Sequence, residues 1–143
     1  MELKTQPMVI LPDSYKLYIN YNTLKTLLNK QTYDNISNYA LSLIEQILKT
    51  HSEFELHMDL NGFTATSIAT QGDLLKNFCT KLVGNDTPCT KKLKFMHVYN
   101  TPHMMSTIEH ICSPYTDSSN ADRYVYHSEK DSIQLLKTLF IRY

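Results

Sequence analysis

Along these 143 residues, short segments of strand character alternate one for one with segments of helical period, and nothing else in the sequence narrows the fold as far. Tyr15 to Tyr21, Phe54 to Leu60, Leu93 to Tyr99 and Arg123 to His127 are brief runs rich in β-branched and aromatic residues. Asp34 to Lys49 carries Ile36, Tyr39, Ala40, Leu43, Ile44, Ile47 and Leu48 at spacings of three and four, which is the stripe of one helix face, with Asp34 as the expected N-cap. Ser67 to Val83 repeats that pattern through Leu74, Leu75, Phe78 and Leu82, and Gly84-Asn85 supplies a stop. A third helix is predicted from Pro102 to the proline at 114, with Met104, Met105, Ile108, Ile111 and Cys112 inward. A fourth opens at Ser128, with an acid three places later at Asp131, and runs through Leu135, Leu136, Leu139 and Phe140. Parallel neighbours in a sheet must be joined by crossovers, usually helical. The order therefore predicts an α/β fold with a mostly parallel sheet of four or five strands, the fifth being a short one at Met8 to Leu11. A helical turn is also expected over Thr23 to Asn29.

Within the strands the apolar residues alternate. Leu17 and Ile19 oppose Lys16, Tyr18 and Asn20, while Phe54, Leu56, Met58 and Leu60 oppose Glu55, His57 and Asp59. A parallel sheet covered on both sides reads instead as near-continuous apolar runs, so the helices are expected mainly on one face. The other face, lined by groups such as Tyr18 and His57, is then expected to be open to a ligand, a partner or water.

Composition removes several function classes. Fourteen basic residues balance fourteen acidic ones, which argues against a nucleic-acid partner. Lys91, Lys92 and Lys94 are the one local basic group and read as a solvated strand edge. No apolar run is long enough for a transmembrane helix, so any membrane contact is expected to be peripheral. Three cysteines, an odd number, and an N-terminus without a cationic start and apolar run point to a reducing, intracellular and cytoplasmic setting. In that setting the glycosylation triplets Asn35-Ile36-Ser37 and Asn85-Asp86-Thr87 are chance matches. A chain this long buries roughly 70% of its unfolded surface, so it is expected to fold as one domain over residues 1–143 without disulfide, metal or cofactor.

Cys79, Cys89 and Cys112 lie at no zinc-ligand spacing, and His103 and His110, seven apart on a predicted helix, read as rim residues. Gly-x-Ser-x-Gly is absent, and three glycines in total leave no phosphate-cradling loop. His57 and Asp59 share a strand face, but residues two apart always do, and an aspartate at a strand end commonly caps a loop. The expectation is a binder without enzymatic activity.

One ordered set of segments carries a family resemblance. Met58-Asp59-Leu60-Asn61-Gly62 resembles the apolar strand, aspartate and nearby glycine of CRAL-TRIO (Sec14-like) domains. Met96-His97-Val98-Tyr99-Asn100-Thr101-Pro102 is similar to that family's strand leading into asparagine, a small residue and proline. Ile108 to Pro114 resembles the helix that reaches a proline before another strand, here Arg123-Tyr124-Val125-Tyr126. The match spans about Phe54 to Leu139. It implies a sheet-floored pocket for one lipid or other hydrophobic molecule, closed by a mobile helix, with no covalent chemistry. The arrangement is also shared by SpoIIAA-like (STAS) regulatory modules, whose phosphorylatable serine would fall near Ser67.

The ligand-binding candidates are accordingly Tyr18, His57, Asp59, Tyr99 and Asn100 on the polar face and Met104, Met105 and Tyr126 at the edge of the third helix. An alternative stays open. The helical region that usually precedes such a lobe is missing, the segment from Ser113 to Asn120 is short and polar, and a pocket walled by Glu55, His57 and Asp59 would hold lipid poorly. The chain would then be an interaction or structural protein that kept the fold and meets a protein partner through the same face, where exposed tyrosines suit an interface.

Overall fold

The computed structural model describes residues 2–85 and 87–143; Asp86, the centre of the Asn85-Asp86-Thr87 triplet, lies outside the described residues, as does Met1. Five strands stand side by side in chain order: β1 (Met8–Ile10), β2 (Lys16–Asn20), β3 (Phe54–Asp59), β4 (Leu93–Tyr99) and β5 (Tyr124–Tyr126). β1 runs antiparallel to β2, and their hairpin turns at Asp13 with φ 55°, a left-handed conformation that aspartate tolerates. The other pairings are parallel. Leu17, Leu56, Met96 and Tyr124 align across the sheet on one face, and Tyr18, His57, His97 and Val125 on the other. Phe54 pairs with Leu93 but Glu55 with Phe95, so Lys94 is an extra residue in a bulge.

Every parallel step needs a crossover. α1 (Tyr21–Leu24) and α2 (Tyr33–Leu48) join β2 to β3, α3 (Ala65–Val83) joins β3 to β4, and α4 (Met105–Cys112) lies between β4 and β5. In a sheet whose strands follow chain order, right-handed crossovers all fall on the same side. The core shows the result: Leu17, Ile19, Phe54 and Leu56 of the sheet pack against Ala40, Ile44 and Ile47 of α2 and Leu82 and Val83 of α3, all buried. The α/β class, the mostly parallel sheet and the concentration of helices on one face agree with the sequence reading. α5 (Glu129–Phe140) joins no pair of the described strands and lies on the opposite face, where the Phe140 ring meets Tyr18 edge-on at 4.7 Å.

Helix ends depart from expectation in instructive ways. Asp34 is not the N-cap of α2: Thr32 holds that position without a side-chain capping bond. Asp34 lies in the first turn, favourable for a carboxylate at the positive end of the helix dipole, and binds Lys81 and Asn77 of α3. α3 starts two residues earlier than predicted, because Thr64 and Ser67 form a reciprocal capping box. It ends at Gly84, where any side chain would collide with the Thr80 carbonyl. α4 begins three residues after Pro102. The chain first spends Asn100, at φ 52°, and Thr101, whose N–H donates to the His127 carbonyl, on leaving the sheet. The Ser128 hydroxyl caps α5 by accepting from the Asp131 N–H at 3.1 Å, as predicted, yet Leu135 on that helix stays exposed. Among the described residues, no helix is long and apolar enough to cross a membrane.

Leu56 is wholly buried at the centre of the sheet. Leu56→Ala is expected to lower unfolding free energy by about 2–5 kcal/mol in urea titration, whereas Ile133→Ala on the exposed side of α5 should change it by less than about 0.5 kcal/mol.

Candidate functional site

The two faces of the sheet carry different chemistry. On the helix-covered face the apolar layer is incomplete. α4 spans only eight residues and is continued by 3-10 turns at Ser113–Tyr115 and Ser118–Arg123. α3 loses helical geometry at Gln71, whose side chain accepts a hydrogen bond from the Tyr21 hydroxyl. Between these helices and the sheet lies a cavity of about 310 Å³. Met58, Met96 and Val98 form its floor, Leu75 and Phe78 one wall, and Met105 and Ile108 the other. Glu109, Ser113, Thr116, Asp117 and Ser118 bring in polar groups, and no lysine, arginine or histidine lines it.

Four further side chains give this cavity polar handles. The Tyr124 hydroxyl is buried without a hydrogen-bond partner, and burial pushes the phenols of both Tyr124 and Tyr126 up to about 12, keeping them protonated. Cys79 of α3 and Cys112 of α4 meet at the cavity wall. Cys79 is raised by its hydrogen bond to Cys112 and by burial, while that same bond lowers Cys112. Far apart in sequence, these thiols become a pair only through the α3–α4 contact.

The opposite face is built from rings and carboxylates. His57 of β3 stands between Glu55 and Tyr99: its Nε2 is 2.8 Å from Glu55 Oε1 and its Nδ1 is 2.8 Å from the Tyr99 hydroxyl. His97, the register partner of His57 on β4, stacks on it at 4.8 Å, and His127 stacks on His97 at 5.3 Å with Nε2 3.0 Å from His97 Nδ1. The other Glu55 oxygen accepts from the Tyr15 hydroxyl at 3.2 Å. Burial raises the Glu55 carboxyl, but the hydrogen bond and charge of His57 outweigh it and leave the group below its ordinary value. His97 is pushed down to about 4 by burial and by repulsion from His57, and burial lowers His127 as well. Tyr99 is raised by burial and by the Glu55 charge.

Nearer the C-terminal ends of the strands, Asp59 organises the loops. Its Oδ1 accepts from the Asn61 N–H at 2.9 Å and from the Asn100 amide at 2.8 Å, and its Oδ2 lies 3.5 Å from the Tyr18 hydroxyl. Burial and the Asp59 charge raise Tyr18. A broad cleft of about 550 Å³ lies here, between Tyr18, Asp59 and Asn100 on the sheet side and Leu136 and Phe140 of α5.

The structure thus distributes the predicted residues over three places. Met105 and Tyr126 line the apolar cavity, and Met104 packs beside it against the cluster of Tyr21, Phe63 and Ile108. Tyr18, Asp59 and Asn100 line the cleft under α5, and His57 and Tyr99 belong to the ring stack. The expected open face is corrected: Tyr18, His57 and Tyr99 are at most 4% exposed. α5 and the N-terminal turn cover Tyr18, whose hydroxyl reaches the Lys4 carbonyl at 3.4 Å, while the stacked rings bury one another. His103 and His110 are exposed. Glu55, His97 and His127 were not among the predicted site residues. Glu55-x-His57 and His97-x-Tyr99 each show a shared strand face, but only the β3–β4 register brings the two pairs together.

Asn100 combines a left-handed backbone, the amide bond to Asp59 and a backbone N–H donated to the Ser132 hydroxyl at 2.8 Å. Asn100→Ala is expected to cost about 1–3 kcal/mol in chemical unfolding, and Asn100→Gly less, because glycine keeps the backbone conformation and loses only the amide.

No family model and no curated protein matches this chain. Among solved structures, the one titled "Crystal structure of Sfh5", of a Sec14-family protein, is similar at a TM-score of 0.66 and 14% sequence identity, over 83% of this chain and 46% of that chain. The chain spans about half the length of that neighbour. At this identity the likeness establishes a Sec14-like fold.

Proposed function

We propose that this Sec14-like chain is a non-enzymatic binding module that holds one single-chain hydrophobic molecule in the cavity between the sheet and the α3–α4 pair. The observation that carries this reading is the cavity itself, at 310 Å³ with walls of methionine, leucine, valine, isoleucine and phenylalanine. Taking roughly the 30 Å³ share of a water molecule for each group, it admits about ten methylene-sized groups. At about 0.8 kcal/mol per buried methylene, their transfer supplies ~8 kcal/mol before the cost of association. That suits one acyl or alkyl chain and is too small for the two chains of a phospholipid.

The lining also selects the head group. It offers two carboxylates, Glu109 and Asp117, and the unpartnered Tyr124 hydroxyl, with no cation. Lys91 and Arg123 act on Asp117 only from a distance. A phosphate would meet negative charge without a basic partner, whereas a hydroxyl or amine head finds acceptors. Three free thiols suit the reducing, intracellular setting of this reading. A second reading, a protein partner, is favoured by Ile133 and Ile141, 63% and 80% exposed at and just beyond α5.

Native mass spectrometry after incubation with an equimolar mixture of a fatty alcohol and a fatty amine of about ten carbons and a two-chain phosphatidic acid tests the proposal. A one-to-one adduct with the alcohol or amine is expected, and Ile108→Trp should abolish it by filling the cavity. Should that variant fail to fold by circular dichroism, Leu75→Phe provides the same occlusion with less added bulk. Adducts that persist in the folded variant, or that form only with the phosphatidic acid, would sink the reading; bare protein in an oligomer would favour the partner at α5.

A further inference from the structure

We infer that Glu55, His57 and His97 form a binding site for a divalent transition-metal ion of the zinc class, on the face of the sheet opposite the apolar cavity. One ligand atom from each of the three lies within 4.8 Å of the others. Two rigid features put them there. Glu55 and His57 are two apart on β3 and so share a face, and the parallel register sets His97 of β4 directly beside His57.

A tetrahedral ion with bonds of about 2.0 Å separates neighbouring ligand atoms by about 3.3 Å. His57 Nε2 and Glu55 Oε1, 2.8 Å apart, need to part by about half an ångström for the ion to replace the proton they share. His97 must turn out of its stack on His57 and carry its hydrogen-bonded partner His127 with it; both are only half-buried, unlike Glu55 and His57. Two imidazoles and one carboxylate select zinc, cobalt or nickel over calcium and magnesium, which demand oxygen ligands. Three protein ligands leave a fourth position for water.

The groups behind the ligands strengthen the assignment. Metal-bound histidines characteristically donate their other ring N–H to a fixed acceptor. His57 Nδ1 has the Tyr99 hydroxyl at 2.8 Å and His97 Nδ1 has His127 Nε2 at 3.0 Å, which leaves the second nitrogen of each ring for the ion. The second Glu55 oxygen is held by the Tyr15 hydroxyl, which in turn accepts from Lys94 at 3.1 Å. Such a constellation of second partners is more than a chance meeting of three side chains needs.

Calorimetric titration of the full chain with Zn²⁺, and visible absorption with Co²⁺, test the site at neutral pH. One equivalent is expected to bind, with a Co²⁺ spectrum of tetrahedral intensity and a higher melting temperature in the presence of Zn²⁺. His97→Ala and Glu55→Gln should each weaken binding at least tenfold, while the double variant His103→Ala/His110→Ala, at two exposed histidines, should bind as the parent does. If Glu55→Gln does not fold, the half-buried His97→Ala decides alone. Absence of binding, affinity unchanged in His97→Ala, or affinity lost in the exposed double variant would overturn the assignment, the last by identifying surface histidines as the ligands.

Discussion

Parallel pairing between β2, β3, β4 and β5 is the constraint from which the remaining architecture follows. Each such pair obliges the chain to return to the starting edge of the sheet before it can add a strand. Because the strands are laid down in chain order, every return has the same hand and the same side. The crossover helices crowd one face and bury its apolar residues. α5, which is no crossover, lies on the other and covers only the part of that face around Tyr18, Asp59 and Asn100.

From this asymmetry come both candidate sites. The crowded face must be filled by helices of fixed length, and the short α4 together with the broken α3 leaves space that side chains do not occupy. The opposite face has no helical layer over Glu55, His57 and His97, so its rings stack on one another and its carboxylate is held by phenol and imidazole. One sheet thus separates an oily volume from a polar ladder by the thickness of its own backbone, with Met96 and Val98 pointing into one and His97 into the other.

Much of this was legible in the sequence, for physical reasons that also mark where legibility stops. Periodicity is a local property, so the strands and helices were readable: β4 falls on Leu93–Tyr99 as predicted, and α2 differs by one residue at each end. Helix caps are decided by loop geometry, so Asp34 was misplaced as a cap when its carboxylate in fact reaches Lys81. The apolar cavity was expected only from the family resemblance, which supplied Met105 and Tyr126, and not from periodicity. Leu75, Met58 and Met96 obey the pattern of core residues whether or not the core closes around them. Likewise Glu55, His57 and His97 are ordinary strand residues until the register is known, and the Cys79–Cys112 pair exists only through the packing of two helices. The polar face was expected to be open because alternation shows which side chains face away from the core, but not whether a later helix folds back over them.

α5 covers its part of the polar face without contributing a single strand-to-strand hydrogen bond. Its attachment rests on the Ser132 hydroxyl, which accepts from the Asn100 N–H, and on the edge of Phe140 against Tyr18, and Ile133 and Leu135 remain exposed. Detaching it breaks no ladder and empties no part of the main core. By its contacts the helix is among the least anchored elements of the fold, of the kind that sets low local stability. The cleft over Tyr18 and Asp59 therefore has one wall held by a few side chains, while the cavity on the far side of the sheet is bounded by α3 and α4.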